Sequence, residues 1–180
     1  MVSRAPIVVL ACGNPSRGDD ALGPLLLERL HDWLLATGLS AGYELIGDCQ
    51  WQIEHALDLA GRELALFIDA CERTPPPFIF LQVQAGGCVG PGSHALSPAA
   101  LLSVLRRISS DPPPAAFVLA VRGESFELGA APSRHALAHA DAAFALLQQL
   151  CRAAGSAQWQ ALGRQFEQPP AHGAGFATGS

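Results

Sequence analysis

The sequence predicts an α/β protein of three layers, with a five-stranded, mostly parallel, doubly wound sheet between two layers of helices. Two observations carry this expectation. Five apolar runs of strand length alternate with stretches of helical periodicity, the order that β-α-β units require. Apolar residues make up 49% of the chain and charged ones only 15%, the balance of a sheet buried on both faces. A length of 180 residues suffices for one core of this kind. Residues 1–155 are therefore expected to form a single domain.

The first strand is expected at 5–11, centred on Ile7-Val8-Val9-Leu10-Ala11. Cys12-Gly13-Asn14-Pro15-Ser16-Arg17-Gly18 then makes a glycine-rich turn. Leu22, Leu26 and Leu30 recur at helical spacing and predict a helix over about 20–36. A short strand follows from Tyr43 to Gly47 and ends at Asp48-Cys49. The pattern Ile53, Ala56, Leu57, Ala60 suggests a helix over 52–60. Leu64-Ala65-Leu66-Phe67-Ile68 makes a third strand, apolar throughout, that stops at Asp69.

Thr74-Pro75-Pro76-Pro77 breaks regular structure, and a fourth strand is expected from Phe78 to Val83. The glycine-rich segment Gly86 to Ser93 leads to His94. Ser97-Pro98 has the form of an N-cap followed by proline at the first helical position, opening a helix to about Ile108. Asp111-Pro112-Pro113-Pro114 precedes a fifth strand, Ala116 to Val121, and a last helix runs from about Ser133 to Ala153. Residues 156–180 carry Gly, Pro, Gln and Ala without usable periodicity and read as a poorly ordered tail, with at most a helical turn near Trp159. The expected sheet order is flavodoxin-like or phosphorylase/hydrolase-like, with 2-1-3-4-5 as the specific arrangement.

A formal net charge of −5 gives no reason to expect nucleic acid or an anionic membrane as partner. No apolar run approaches the ~20 residues that cross a bilayer. Met1 to Pro6 leaves no room for a signal peptide before the first strand. The five cysteines are odd in number, widely spaced and free of any C-x-x-C, so free thiols in a reducing cytoplasm are expected.

The turn after the first strand ends in two carboxylates, Asp19 and Asp20. They disfavour a bound phosphate, and neither G-x-G-x-x-G nor G-x-x-x-x-G-K-S/T is present, so a nucleotide-binding module ranks low. Aspartate at a helix start also has a plain structural use, capping free N–H groups. That role is assigned to Asp19, which leaves Asp20 for function. In doubly wound sheets, ligands bind beyond the carboxyl ends of the strands. Asp20 after the first strand, Asp69 at the end of the third and His94 after the fourth are therefore expected to meet. Two carboxylates and one imidazole suit a divalent ion such as zinc, nickel or manganese, with positions open for water or substrate. Without a metal, Asp20 and Asp69 could share a proton as base and acid. His55 and Glu54 are expected to wall the same cleft. His135 and His139 stand four apart, but no glutamate follows the first, so they read as a helix face with Asp141 nearby. Ser93 and Ser125 lack a G-x-S-x-G setting.

Taken together, these segments resemble the hydrogenase maturation proteases, endopeptidases that trim a C-terminal extension from the large subunit of nickel–iron hydrogenases. The resemblance spans about residues 6–152. Gly13-Asn14-Pro15-Ser16-Arg17-Gly18-Asp19-Asp20-Ala21-Leu22-Gly23 resembles that family's G-N-x-x-x-x-D-D/E-G-x-G signature, with Ala21 at a position where glycine is commoner. Ile68-Asp69-Ala70 resembles the acidic strand end, and Ser93-His94-Ala95-Leu96-Ser97 the histidine segment. Gln50 to His55 and Glu124 to Gly129 look like the branch serving soluble, NAD-linked hydrogenases. The resemblance implies Asp20, Asp69 and His94 as the catalytic, metal-contacting trio. It implies that nickel comes with the precursor, which is the partner, and that the enzyme keeps no tightly held metal of its own. A cytoplasmic monomer is expected. The alternative is a maturation chaperone on the same fold that binds nickel or precursor without hydrolysis.

Overall fold

The computed structural model describes residues 4–83 and 96–167. Strands β1 (Ile7–Cys12), β2 (Tyr43–Asp48), β3 (Leu64–Cys71), β4 (Phe78–Gln82) and β5 (Ala115–Arg122) form one sheet in the order β2-β1-β3-β5-β4. The helices are α1 (Leu22–Thr37), α2 (His55–Asp58), α3 (Pro98–Ile108), α4 (Arg134–Arg152) and α5 (Ser156–Glu167). Pairs β1–β2, β1–β3 and β3–β5 are parallel, as the apolar runs predict.

The last two strands depart from the expected order. β4 takes the outer position and runs antiparallel to β5, with Phe78 opposite Val121 and Gln82 opposite Phe117. The reason lies in the linker. Only Glu72 to Pro77 separate β3 from β4, whereas a parallel return needs a crossover of roughly a dozen residues or more. A short proline-rich linker can only reverse the chain.

Alternation along the strands divides the core in two. Val9, Ala11, Leu66, Ile68 and Phe117 face α1, α4 and α5, while Val8, Leu10, Ala65 and Phe67 face α2 and α3. Helix α1 buries Leu22, Leu26, Leu30 and Leu34, one residue per turn on one stripe, and ends at Gly38 with a left-handed φ of 72°. The expected cap of α3 is present: the Ser97 hydroxyl accepts from the Ala100 N–H at 3.2 Å, with Pro98 at the helix start. Helix α2 is much shorter than the expected 52–60.

The tail expected over 156–180 is corrected for its first part. Ser156–Glu167 is a helix, and Trp159 is fully buried between Phe80 and Phe117, its ring N–H donating to the Leu150 carbonyl at 3.0 Å. Trp159, Leu162 and Phe166, at helical spacing, lay the helix on the sheet, with Phe166 5.2 Å from Phe78 between ring centroids. The remainder, 168–180, lies outside the described residues. Among the described residues Cys12, Cys49, Cys71 and Cys151 are free thiols, and no helix is long and apolar enough to cross a membrane.

Candidate active site at the carboxyl edge of the sheet

β1 and β3 run side by side until Ala11 pairs with Ile68. At Gly13 the chain leaves the sheet with φ 146°, a left-handed value open to glycine; a Cβ there would lie 1.9 Å from the Asp20 carbonyl oxygen. β3 continues to Cys71, still paired with β5. The expected strand end at Ile68 is thus three residues early, and Asp69 sits within the strand, beside the gap that β1 leaves by turning away. Asp20 enters the same gap from a 3-10 turn over Gly18–Ala21. Its Oδ2 accepts from the Asn14 N–H at 2.9 Å, and the Asn14 side chain in turn accepts from the Ser16 N–H at 2.9 Å. The turn is thereby folded on itself around Asp20.

The electrostatics of this gap distinguish its members. Burial raises the Asp69 pKa to about 6, helped by the charge of Asp20 and opposed by hydrogen bonds from the Cys12 thiol and the Ala70 N–H. Burial also pushes the Cys12 thiol far up, and Asp69, Asp20 and Asp48 each add to that shift, so Cys12 stays protonated and donates to Asp69. Cys12 therefore serves as a neutral donor under the carboxylates and not as a nucleophile.

Asp19 has a different task from the one expected. It caps no helix: α1 has Ala21 at its N-cap with no side-chain cap bond. Instead, the fully buried Asp19 carboxylate gathers the loop between β5 and α4. It accepts from the backbone N–H groups of Glu124 at 2.7 Å, Ser125 at 2.9 Å and Ser133 at 2.5 Å, and from the Ser133 hydroxyl at 2.9 Å. Burial alone would raise its pKa; these four donors outweigh it and hold Asp19 below the ordinary carboxylate value. Further bonds zip the two loops: Asp19 N–H to the Ser125 carbonyl, Gly18 N–H to Ala130, Gly129 N–H to Ser16, and Arg17 Nε to Phe126. At Gly18, with φ 55°, a Cβ would meet the Ser125 carbonyl oxygen at 2.4 Å. Asp20 is thus fixed by its neighbour's hold on a segment more than a hundred positions away.

The second strand supplies a further pair. Asp48 ends β2 opposite Cys12, and its Oδ2 lies 3.5 Å from Nε2 of the buried His55. The Gln52 N–H donates to His55 Nδ1 at 2.9 Å, which leaves the ring proton on Nε2, facing Asp48. Trp51 packs edge-on against both His55 and Phe67. His55 is buried behind Asp48, whereas Glu54 is exposed. Asp48 was missed by sequence reasoning; its position after a short strand, before Cys49 and Gln50, was the available signal.

His94 falls outside the described residues. The strand-end rule that grouped it with the aspartates assumed a parallel β4, and Gln82, the last residue of β4, points to the opposite edge of the sheet. Among the described residues, no three His, Cys, Asp or Glu side chains form a ready metal site. His135 is exposed and pairs with Glu124 at 3.0 Å, and His139 bonds the Arg122 carbonyl at 3.0 Å. Asp141 pairs with Arg29 at 2.9 Å and not with either histidine. Ser125 acts through its backbone.

No family profile and no curated protein sequence matches the chain. Solved structures do. The maturation protease HycI of Thermococcus kodakarensis superposes with a TM-score of 0.64 at 21% identity, over 84% of this chain and 95% of that one. The maturating endopeptidase HybD of E. coli gives 0.63 at 23% identity, over 83% and 93%. A solution structure of an endopeptidase from Escherichia coli gives 0.64 at 24% identity, over 83% and 93%. At these identities the likeness is one of architecture, and the chain has the fold of the hydrogenase maturation proteases.

Proposed function

We propose that the chain is an endopeptidase that removes the C-terminal extension of a nickel–iron hydrogenase large-subunit precursor once nickel has been inserted. The observation that carries this reading is the pairing of Asp20 and Asp69 over the gap where β1 leaves the sheet. Two carboxylates, one half-buried in the strand and one held by a folded turn, can meet a metal ion that already has other ligands. Nickel belongs to the substrate in this scheme. Asp20 and Asp69 contact it, with His94 as the third contact that the resemblance implies. Cleavage then depends on loading, because an empty precursor presents no cation to two carboxylates.

Asp69 also suits proton transfer. With a pKa of about 6 it is largely ionised at neutral pH yet basic enough to take a proton from an attacking water. The Cys12 thiol beneath it stabilises the ionised form. The test is a processing assay with purified protein and precursor, nickel-loaded and nickel-free, read by gel mobility. The large subunit should shorten only when loaded. Asp20→Asn, Asp69→Asn and His94→Ala should each slow processing by about a hundredfold or more. A precursor that is bound tightly and never shortened would identify the chain as a non-hydrolytic chaperone. Unimpaired processing by all three variants would discard the site.

A further inference from the structure

A groove of about 610 Å³ lies between α1 and the outer strand β2. Its walls are apolar, with Pro15, Pro24 and Leu27 on one side and Leu45 on the other. Its upper end is formed by Gly13, which lies against the Asp20 carbonyl, and by Asp48, whose charge acts on the Cys12 thiol that bonds Asp69. The groove therefore ends beside the turn that holds Asp20. Gly47 keeps it open, since a Cβ there would already touch the Leu27 Cδ2 at 3.2 Å.

Two further features state what fits. Its acidic side chains are Glu28 and Asp48, His31 stands one helical turn from Glu28, and no lysine or arginine lines it. Glu28 is exposed and, among the described residues, has no ion-pair partner. The wall β2 is an edge strand, paired only with β1 among the described residues, so its outer backbone groups are open to an added strand. An extended peptide satisfies both features: backbone to the strand, alternate side chains to the apolar wall, a cation to the rim.

We infer that this groove binds an extended segment of the substrate polypeptide that carries apolar side chains and a basic residue, and leads it into the gap between Asp20 and Asp69. This rests on the endopeptidase reading and adds the substrate's local chemistry to it. A cation at Glu28 and Asp48 adds attraction at a partly solvated rim, where such pairs steer and select more than they hold. The apolar wall supplies the affinity.

The test is steady-state processing of the loaded precursor by Glu28→Lys, which reverses the rim charge, and Gly47→Leu, which fills the groove. Glu63→Lys is the charge-matched control, on an exposed residue ahead of β3 at the far edge of the sheet. Both groove variants should raise KM by about tenfold while kcat stays within about twofold, and the control should change neither. Wild-type processing with KM unchanged in both groove variants overturns the inference and leaves the endopeptidase reading intact. If the wild type leaves the precursor full-length, the endopeptidase reading fails. The groove is then judged by fluorescence anisotropy with labelled octapeptides alternating Val with Lys or Val with Glu. A preference of about tenfold for the Lys peptide, lost in Glu28→Lys, supports it; equal binding overturns it. Sedimentation showing a dimer that Gly47→Leu dissociates would assign the groove to a second copy and overturn the inference too.

Discussion

The two ends of the sheet are built on opposite terms. Above β1 and β3, buried volume is given to carboxylates: Asp69 is pushed toward its neutral form by burial and by Asp20. At the β4–β5 side the same depth of burial holds Phe80, Phe117 and Trp159, ring against ring, with centroids 5.4 to 6.5 Å apart. Aromatic packing of this kind adds stability beyond the area it buries, whereas a partly desolvated carboxylate subtracts from it. The contrast teaches that a partly buried carboxylate pair, the seat of the proposed chemistry, is tolerated because the rest of the sheet is well packed.

The largest effect should come from breaking the aromatic side. Trp159→Ala removes the fully buried ring that fastens α5 to the sheet and should cost about 3–5 kcal/mol in chemical unfolding. Processing per folded molecule should stay near wild type, because the carboxyl edge is elsewhere. A variant that folds normally but has lost activity would erase the distinction between the two ends.

Next in size is Asp19→Ala, which tests whether the acidic end is purely costly. Three backbone N–H groups lose their acceptor, and the loss should be about 2–4 kcal/mol. The Asp19 pKa is lowered, so its contribution is present above the ordinary carboxylate range and is lost as pH falls through the folded value. Asp19 and Asp20 are adjacent and alike in sequence, yet one gathers a distant loop and the other bears on the half-buried Asp69.

The smallest effect sharpens the comparison most. Asp69→Asn should stabilise the protein at neutral pH by about 1–3 kcal/mol while abolishing processing. The folded pKa of about 6 lies above the ordinary 3.8, so between those values the native state holds a proton that the unfolded chain has released. Wild-type stability should therefore decline as pH rises from about 4 to 6, and that decline should be absent in the variant. Urea unfolding of both proteins across this range measures it; parallel curves would show that Asp69 carries no such cost.

Much of this was legible in the residues. Apolar runs and helical spacing yielded all five strands and the long helices within a few positions, since burial on both faces leaves a dense apolar signal. The glycine-rich turn with its two aspartates, and Asp69 on the neighbouring strand, were visible as a candidate pair because strand ends gather at one edge. Three things were not. The direction of β4 depended on the length of the Glu72–Pro77 linker, a geometric constraint that periodicity does not express. Helix α5 rests on only three apolar anchors, Trp159, Leu162 and Phe166, set among glutamines and followed by a glycine- and proline-rich stretch that masks their spacing. Asp48 joined His55, already expected at that edge, only when β2 was set beside β1.

What the sequence determined by itself is the α/β class, the succession of strands and helices, and the presence of a turn too acidic for a phosphate. Those follow from local chemistry: which residues must leave water, and which backbones can bend. The residues also set Asp19 apart from Asp20, but only the tertiary structure decided what Asp19 holds: not a helix start but the loop between β5 and α4. Its partners, Glu124, Ser125 and Ser133, are more than a hundred positions from Asp19. A carboxylate's role is set by the donors that surround it, and no local pattern records donors brought from so far along the chain.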